Sequence, residues 1–543
     1  TIHADCVEQL RGEIAGRNIC ITFDETEILF VCFCVGVTFV DDSCILRQRV
    51  VRLALYDVSP EEQYSNAMSN HIIAVISDRL QHPSKLIKVF SRDGASINDL
   101  AIRKLIGGRF PDPSRPSSMI TIPPMYKNAL NVKCFSHTVD RCGADYTVNS
   151  TKHNRIEGPF LRKFYVTINK IFTVTGCAVR KSWQRAMGTA MRRISPTRWW
   201  SRQMFWSYVL MHYSPDGDRH IALHQWVRAN VDNNLLDSTL MHALYDVVCP
   251  QSPNHSPEVL RMILLEMALS VDVTEPLREL TYILESDKPV SVIAADAVAR
   301  AAFCFRNNFD TMDYINVRKL ISEFVEGGFR PVDDNGAPPD NVRDHWVQYC
   351  VQIANPCKNY FFSEVVAHPA MNLMKVARWA DPDFMKKVPT AEIMRNELNP
   401  LVDKLIDGDE VDNLIKQMPD YQMSAMLFQP QAKWEPKVDC IVQYWQSNKA
   451  ALNHWYEFAR KCFLLQPSSA SVERAFSMLK SIYGKQKSAK LEETVEIELM
   501  LRYNNRVAKK KKSNEEHLKN NGDDEQGDED DDERVLVLPL NDW

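Results

Sequence analysis

Three carboxylates in this 543-residue sequence stand where they could share chemistry. Asp24 directly follows a short apolar run, "NICITF" (18–23), and Asp93 lies just after another, "KLIKVF" (85–90), within "VFSRDGAS". Glu473 opens a helical stretch, "PSSASVERAFSMLKSI", after Pro467 and a cluster of serines. On that helix Val472, Ala475, Phe476 and Leu479 recur at core spacing, so Glu473, Ser477 and Lys480 fall on the adjacent stripe. An acid offset from the core face suits the edge of a cleft. Hard oxygen ligands of this kind hold two divalent ions in phosphoryl displacement, where one activates the attacking oxygen and the other stabilises the leaving one. Taken singly, Asp24 and Asp93 also read as turn residues, and Glu473 as a solvated acid.

The elements that must position them follow from the pattern of apolar residues. "NICITF", Ile28 to Val40 and "CILRQRVVRLAL" (44–55) read as three strands joined by short charged turns, a double hairpin. A helix follows over 59–81, then a fourth strand (85–90), a second helix (96–107), a Pro-rich loop, "RFPDPSRPSSMITIPP", and a fifth strand, "NVKCF" (131–135). After a meander and a helical crossover the fourth strand can return beside the first and parallel to it. Parallel neighbours lie about 4.8 Å apart, which would bring Asp24 and Asp93 together.

From about 155 to 440 the pattern is helical, and three helices close the fold at 449–465, 469–484 and 491–505. The expected organisation is a mixed α/β unit (1–150 and 441–506) interrupted by a mainly helical insertion (151–440), with a disordered charged tail over 507–543. The longest apolar run has 13 residues, short of the roughly 18 of a membrane span. No signal peptide opens the chain, and its first residue, Thr1, suggests a segment of a longer protein. Fourteen cysteines, several in apolar contexts, fit a reducing compartment.

The formal net charge of −5 conceals an asymmetry. The tail holds 6 basic and 12 acidic side chains, whereas Lys133 to Arg228 holds 16 basic against 5 acidic. Such a block is an electrostatic footprint for a polyanion. "AKKKKS" (508–513) reads either as a nuclear import signal or as part of a solubilising tail. Walker, GxGxxG and GxSxG motifs are missing, which argues against nucleotide-driven chemistry and serine hydrolysis.

Several blocks occur in the order of one family. "PSSASVERAFSMLKSI" and the helices beside it resemble the C-terminal dimerisation region of the hAT superfamily of DNA transposases; "ITFDETE", "SRDGASIND" and "KCFSHTVD" resemble that family's first-aspartate, second-aspartate and Cys-x-x-His blocks. "PTRWWS" and "EPLRELTYILESDK" (275–288) resemble segments of its helical insertion. The resemblance implies an RNase H-like catalytic domain in which Asp24, Asp93 and Glu473 bind Mg2+ or Mn2+ for cleavage and strand transfer at mobile-element ends. It further implies double-stranded DNA as partner, a homodimer or higher oligomer through the C-terminal helices, no membrane, and a nuclear location.

Under the same resemblance Cys134 and His137 belong to a site-adjacent motif, and Arg198, Trp199 and His137 contact distorted DNA. A Trp can stack on an extruded base and an Arg can grip phosphate in a bidentate way. "RWW" alone equally fits a core aromatic pair, and Cys134 with His137 equally fits a buried thiol and a hydrogen-bonded histidine. Glu25, Thr26 and Glu27 depart from the family's first block, and strand alternation should turn Glu25 and Arg92 away from the two aspartates. No zinc-binding recognition module is visible upstream. Two other readings stay open: a non-cutting, transposase-derived DNA-binding and dimerisation protein, and an RNase H-like nuclease acting on another nucleic acid.

Overall fold

The alternation of Ile, Val, Phe and Cys near the start of the chain is realised as one sheet with both faces covered. In the computed structural model, which describes residues 2–27, 31–56, 64–112, 115–122, 124–145, 153–154, 156–174, 177–189, 199–232, 238–329, 341–485 and 492–504, strands β1 (Ile19–Glu27), β2 (Val31–Val40) and β3 (Leu46–Tyr56) form an antiparallel meander. Strand β4 (Ile87–Arg92) returns beside β1 and parallel to it, as the crossover argument expects. The described part of the crossover is helix α2 (Tyr64–Ala74) with a wider π turn at Val75–Leu80. The expected helix over 59–81 thus begins with residues that lie outside the described ones, and so do Ile28 to Phe30 of the expected second strand.

The Pro-rich stretch is not a plain loop. Strands β5 (Gly108–Asp112) and β6 (Arg115–Ile122) pair as an antiparallel hairpin outside the main sheet, after helix α3 (Ser96–Ile106). A two-stranded ribbon has free edges, where a proline costs no ladder bond. Strand β7 (Leu130–Lys133) then pairs parallel to β4 and completes the order β3-β2-β1-β4-β7. It stops two residues short of the expected 135 because Phe135 already opens helix α4 (Phe135–Gly143). An amino-terminal helix α1 (Ile2–Ile14), not legible as such in the pattern, packs Leu10 and Ile14 against β1, β2 and the π turn.

From Pro159 to Asn448 the described residues are helical apart from turns and one isolated bridge between Val402 and Ile406. The longest helix, Pro257–Leu284, is capped by Ser256 and buries Leu265, Ala268, Leu269, Val273 and Leu277 in the largest core. The closing helices run Asn453–Phe463, Ala470–Lys485 and Glu492–Asn504, within a few residues of their expected spans. No described helix is long and apolar enough to cross a membrane.

Helix Ala470–Lys485 lies on the sheet. Its predicted core residues Val472, Ala475, Phe476, Leu479 and Ile482 cluster with Cys32, Cys34, Val50 and Leu53 and with Val495 and Leu499 of the last helix. Gly36 faces the helix: a Cβ there would touch Val472 Cγ2 at 3.6 Å, an ordinary contact, and would crowd the Arg49 carbonyl of the neighbouring strand at 3.3 Å. Phe476, Leu479, Ile482, Val495 and Leu499, on the closing helices through which the resemblance implies an oligomer, are all buried within this one chain. The sheet supplies the apolar surface they need.

A candidate carboxylate site at the ends of three parallel strands

Strands β1, β4 and β7 point the same way, and each delivers one residue to a common edge. The β1–β4 register pairs Phe23 with Arg92, so the next residues, Asp24 and Asp93, stand side by side. The β4–β7 register pairs Arg92 with Lys133, and the Cys134 amide donates to the Arg92 carbonyl at 2.7 Å, which sets Cys134 next in line. The carboxyl ends of parallel strands are where α/β sheets collect ligands; here β4 and β7 stop at the edge, whereas β1 runs on to Glu27 beside β2, so Asp24 lies inside the strand rather than after it as expected.

Two aspartates this close need a reason to stay. Asn98, on the first turn of α3 and fully buried, supplies part of it. Its Nδ2 donates to Asp93 Oδ1 and lies 3.4 Å from Asp24 Oδ1. Asp93 Oδ1 also accepts the Ala95 amide at 2.9 Å, which shapes the turn into α3. Sequence reasoning overlooked Asn98, although its place five residues after Asp93, at the start of a helix, was a usable signal.

Glu473 arrives from the far end of the chain. The loop before its helix docks on the β7–α4 junction: the Phe135 amide donates to the Pro467 carbonyl at 2.7 Å, Ser136 Oγ lies 3.1 Å from Ser468 Oγ, and the Ser469 amide donates to Cys134 Sγ at 3.3 Å. Next to Glu473, Arg474 donates to the Glu285 carbonyl at 2.8 Å and pairs with Asp287, so it ties the helix to the end of "EPLRELTYILESDK". Thus the serine cluster and the Glu-Arg pair are a docking device whose product is the placement of one acid.

Burial and neighbouring charge both act on the acids of this edge. Burial pushes the Asp24 carboxyl well above its usual range, and the charges of Asp93 and Glu473 push it further; the Glu25 amide and His137 oppose them. Glu25 is raised by partial burial and by Asp93, so alternation does not remove it wholly from the field of the site. Arg92 does turn away: its guanidinium pairs with Asp99 and donates to Asn131 Oδ1 and to the Asp93 carbonyl rather than the carboxylate.

Cys134, His137 and Glu473 form a second, overlapping cluster. Their ligand-type atoms lie within 4.8 Å of one another, and His137 Nδ1 is 3.8 Å from Glu473 Oε1. Burial pushes the Cys134 thiol up, but the hydrogen bond and charge of His137 outweigh it and bring it down to about 7. Cys134 is fully buried, whereas the His137 side chain is 37% exposed and Glu473 20%, so the cluster opens to solvent on the histidine side.

Arg198 lies outside the described residues, and so does the side chain of Trp199, the first residue of helix Trp199–Tyr213. Its neighbour Trp200 packs against Tyr282 with ring centroids 5.4 Å apart, a core contact. Part of the basic block is spent internally: Arg202 pairs with the buried Glu157 at 2.5 Å, and Arg219 donates to Thr189 and Tyr208. Arg162, Lys163 and Lys170 share the exposed face of helix Pro159–Val174, and Lys181, Arg185 and Arg228 are exposed nearby in sequence. The "AKKKKS" segment and the acidic tail lie outside the described residues. No family model and no curated protein matches this chain.

Proposed function

We propose that the chain is a DNA transposase of the hAT type, in which Asp24, Asp93 and Glu473 form the acidic triad of an RNase H-like domain. One observation carries the reading. Asp24 inside β1 and Asp93 just past the end of the neighbouring parallel strand β4 share a buried asparagine, and the charge of a glutamate from a helix some hundreds of residues later acts on Asp24. The strand order, with a meander followed by two parallel strands, supports the RNase H-like assignment over other mixed sheets.

The donor set suits hard divalent ions such as Mg2+ or Mn2+. The Asp24 carboxylate, raised by burial and by the charges of Asp93 and Glu473, is unfavourable without a cation, and a cation relieves it. When bound, such ions would activate the attacking oxygen and stabilise the leaving one. The chain's own residues do the rest. Asn98 Nδ2 bridges the Oδ1 atoms of Asp24 and Asp93, and Arg474 with the Ser468–Ser469 loop fixes the helix that carries Glu473. His137, exposed beside Glu473, is a donor within reach of a phosphate at that edge when protonated. Exposed cations of helix Pro159–Val174 offer backbone contacts to DNA, whose affinity would fall steeply with salt.

The test is cleavage of labelled element-end DNA, taken from the genomic flanks of the gene, with Mg2+ or Mn2+. Nicking by the wild type and its loss in Asp93→Asn and Glu473→Gln is the expected result. Equal DNA binding by all three proteins with no cutting supports the second reading, a DNA-binding protein with a vestigial triad. Glu25, half-buried within the field of Asp93, is the feature that favours that alternative. A dimer, if formed, uses a surface other than the five buried residues of the closing helices.

A further inference from the structure

The oxygen triad leaves unexplained why a thiol and an imidazole converge on the same glutamate. Sulfur is a poor ligand for Mg2+ and a strong one for borderline ions such as Zn2+ and Co2+. Around a tetrahedral ion, bond lengths of about 2.3 Å to sulfur and about 2.0 Å to nitrogen and oxygen place ligand atoms roughly 3.3 to 3.5 Å apart. The Cys134, His137 and Glu473 atoms lie within 4.8 Å of each other, and the His137–Glu473 separation of 3.8 Å is already near that value.

We propose that Cys134, His137 and Glu473 form a three-ligand site for a thiophilic divalent ion of the Zn2+ class, with the fourth position open to solvent. The framework is preorganised. Cys134 is pinned by its amide bond to the Arg92 carbonyl and by the Ser469 amide at its sulfur. His137 follows it by three residues, in the first turn of α4, and Glu473 is held by the docked loop. Access comes from the half-exposed imidazole. The site stands on these three side chains and does not require that the chain cut DNA. Because Glu473 is common to both clusters, an ion held by Cys134 withdraws that carboxylate from Asp24 and Asp93, and the two kinds of metal exclude each other.

The test uses the full chain and Co2+ as the probe, since a cobalt–thiolate bond gives a near-ultraviolet charge-transfer band that oxygen ligation does not. The expected result is one equivalent of Co2+ with that band, displaced by Zn2+. Cys134→Ser should abolish the band, and His137→Ala should weaken Co2+ binding by at least about 100-fold, the upper range seen for merely supporting partners of a metal ligand. His137 is partly exposed, so its replacement tests the site even where the serine variant folds poorly. Asp93→Asn, outside the ligand set, should keep the band. A wild type with no thiolate band, or a band that survives both Cys134→Ser and His137→Ala, overturns the proposal.

Discussion

Replacing Asp93 by Asn removes one charge from beside a buried carboxylate and leaves the local shape intact. Asn retains an oxygen to accept the Asn98 and Ala95 donors that Asp93 Oδ1 now holds. The magnitude follows from the geometry. Both aspartate oxygens are within reach of one Nδ2, so roughly 6 Å is the widest they can stand apart, and at an effective dielectric constant of about 20 the repulsion is about 3 kcal/mol. Asp93 is only half-buried, and screening by water reduces this to about 1 to 2 kcal/mol. Metal-free Asp93→Asn should therefore be more stable locally than the wild type, by a factor of about 5 to 30 in the opening equilibrium of the sheet edge. The sign with pH is fixed. Asp24 has a folded-state proton affinity raised above its ordinary 3.8, so the wild type loses stability as pH rises above 3.8 and through the folded value. Below 3.8 the two proteins should converge. Amide hydrogen exchange of Ile19 to Phe23 in EDTA measures the effect directly. Adding Mn2+ at about 100 times its Kd should protect the wild type by a further about 2.7 kcal/mol and leave the variant unmoved. A variant that is no better protected without metal, and equally protected with it, would refute carboxylate repulsion as the organising feature of this edge.

Three further outcomes test the framework around the site. Glu496 is buried and accepts from Arg52 at 3.0 Å, Arg79 at 2.7 Å and the Leu53 amide at 3.2 Å, so Glu496→Ala should cost about 3 kcal/mol by stranding two guanidiniums. Denaturant unfolding checks it, and a loss below about 1 kcal/mol would mean the cluster is not structural. Gly36→Leu should push helix Ala470–Lys485 off the sheet through Val472, so Mn2+-induced protection of β1 should fall while the helical region keeps its melting behaviour; unchanged protection would show that the close approach is dispensable. His368 is stacked on Phe135, and burial, with Lys133, lowers it to about 4. A histidine depressed in the fold contributes stability above its unfolded 6.5 that is lost as pH falls toward 4, here up to about 3 kcal/mol. His368→Asn, which keeps an acceptor for the Ala370 amide now held by Nδ1, should flatten that slope; an unaltered pH profile between 4 and 6.5 would exclude His368 as its source.

The local content of the chain was written in its periodicities. Alternating Ile, Val, Phe and Cys determined β1 to β4, the 3.6-residue spacing of Val472, Ala475, Phe476 and Leu479 determined a helix with Glu473 off its core face, and both depend only on neighbours in sequence. The side-by-side placement of Asp24 and Asp93 was inferable too, because few connections return a strand beside a meander. What no local pattern contains is the partner of a buried face. Phe476, Leu479 and Val495 would look the same whether they covered the sheet, an insertion or a second chain, and only the fold assigns them to Cys34, Val50 and Leu53. The β5–β6 hairpin escaped notice because its prolines signal a loop, yet pairing outside the main sheet tolerates them. Asn98 and the Cys134–His137–Glu473 cluster depend on contacts between residues up to 339 positions apart, and such contacts are decided by how the sheet, α3 and the docked serine loop pack together.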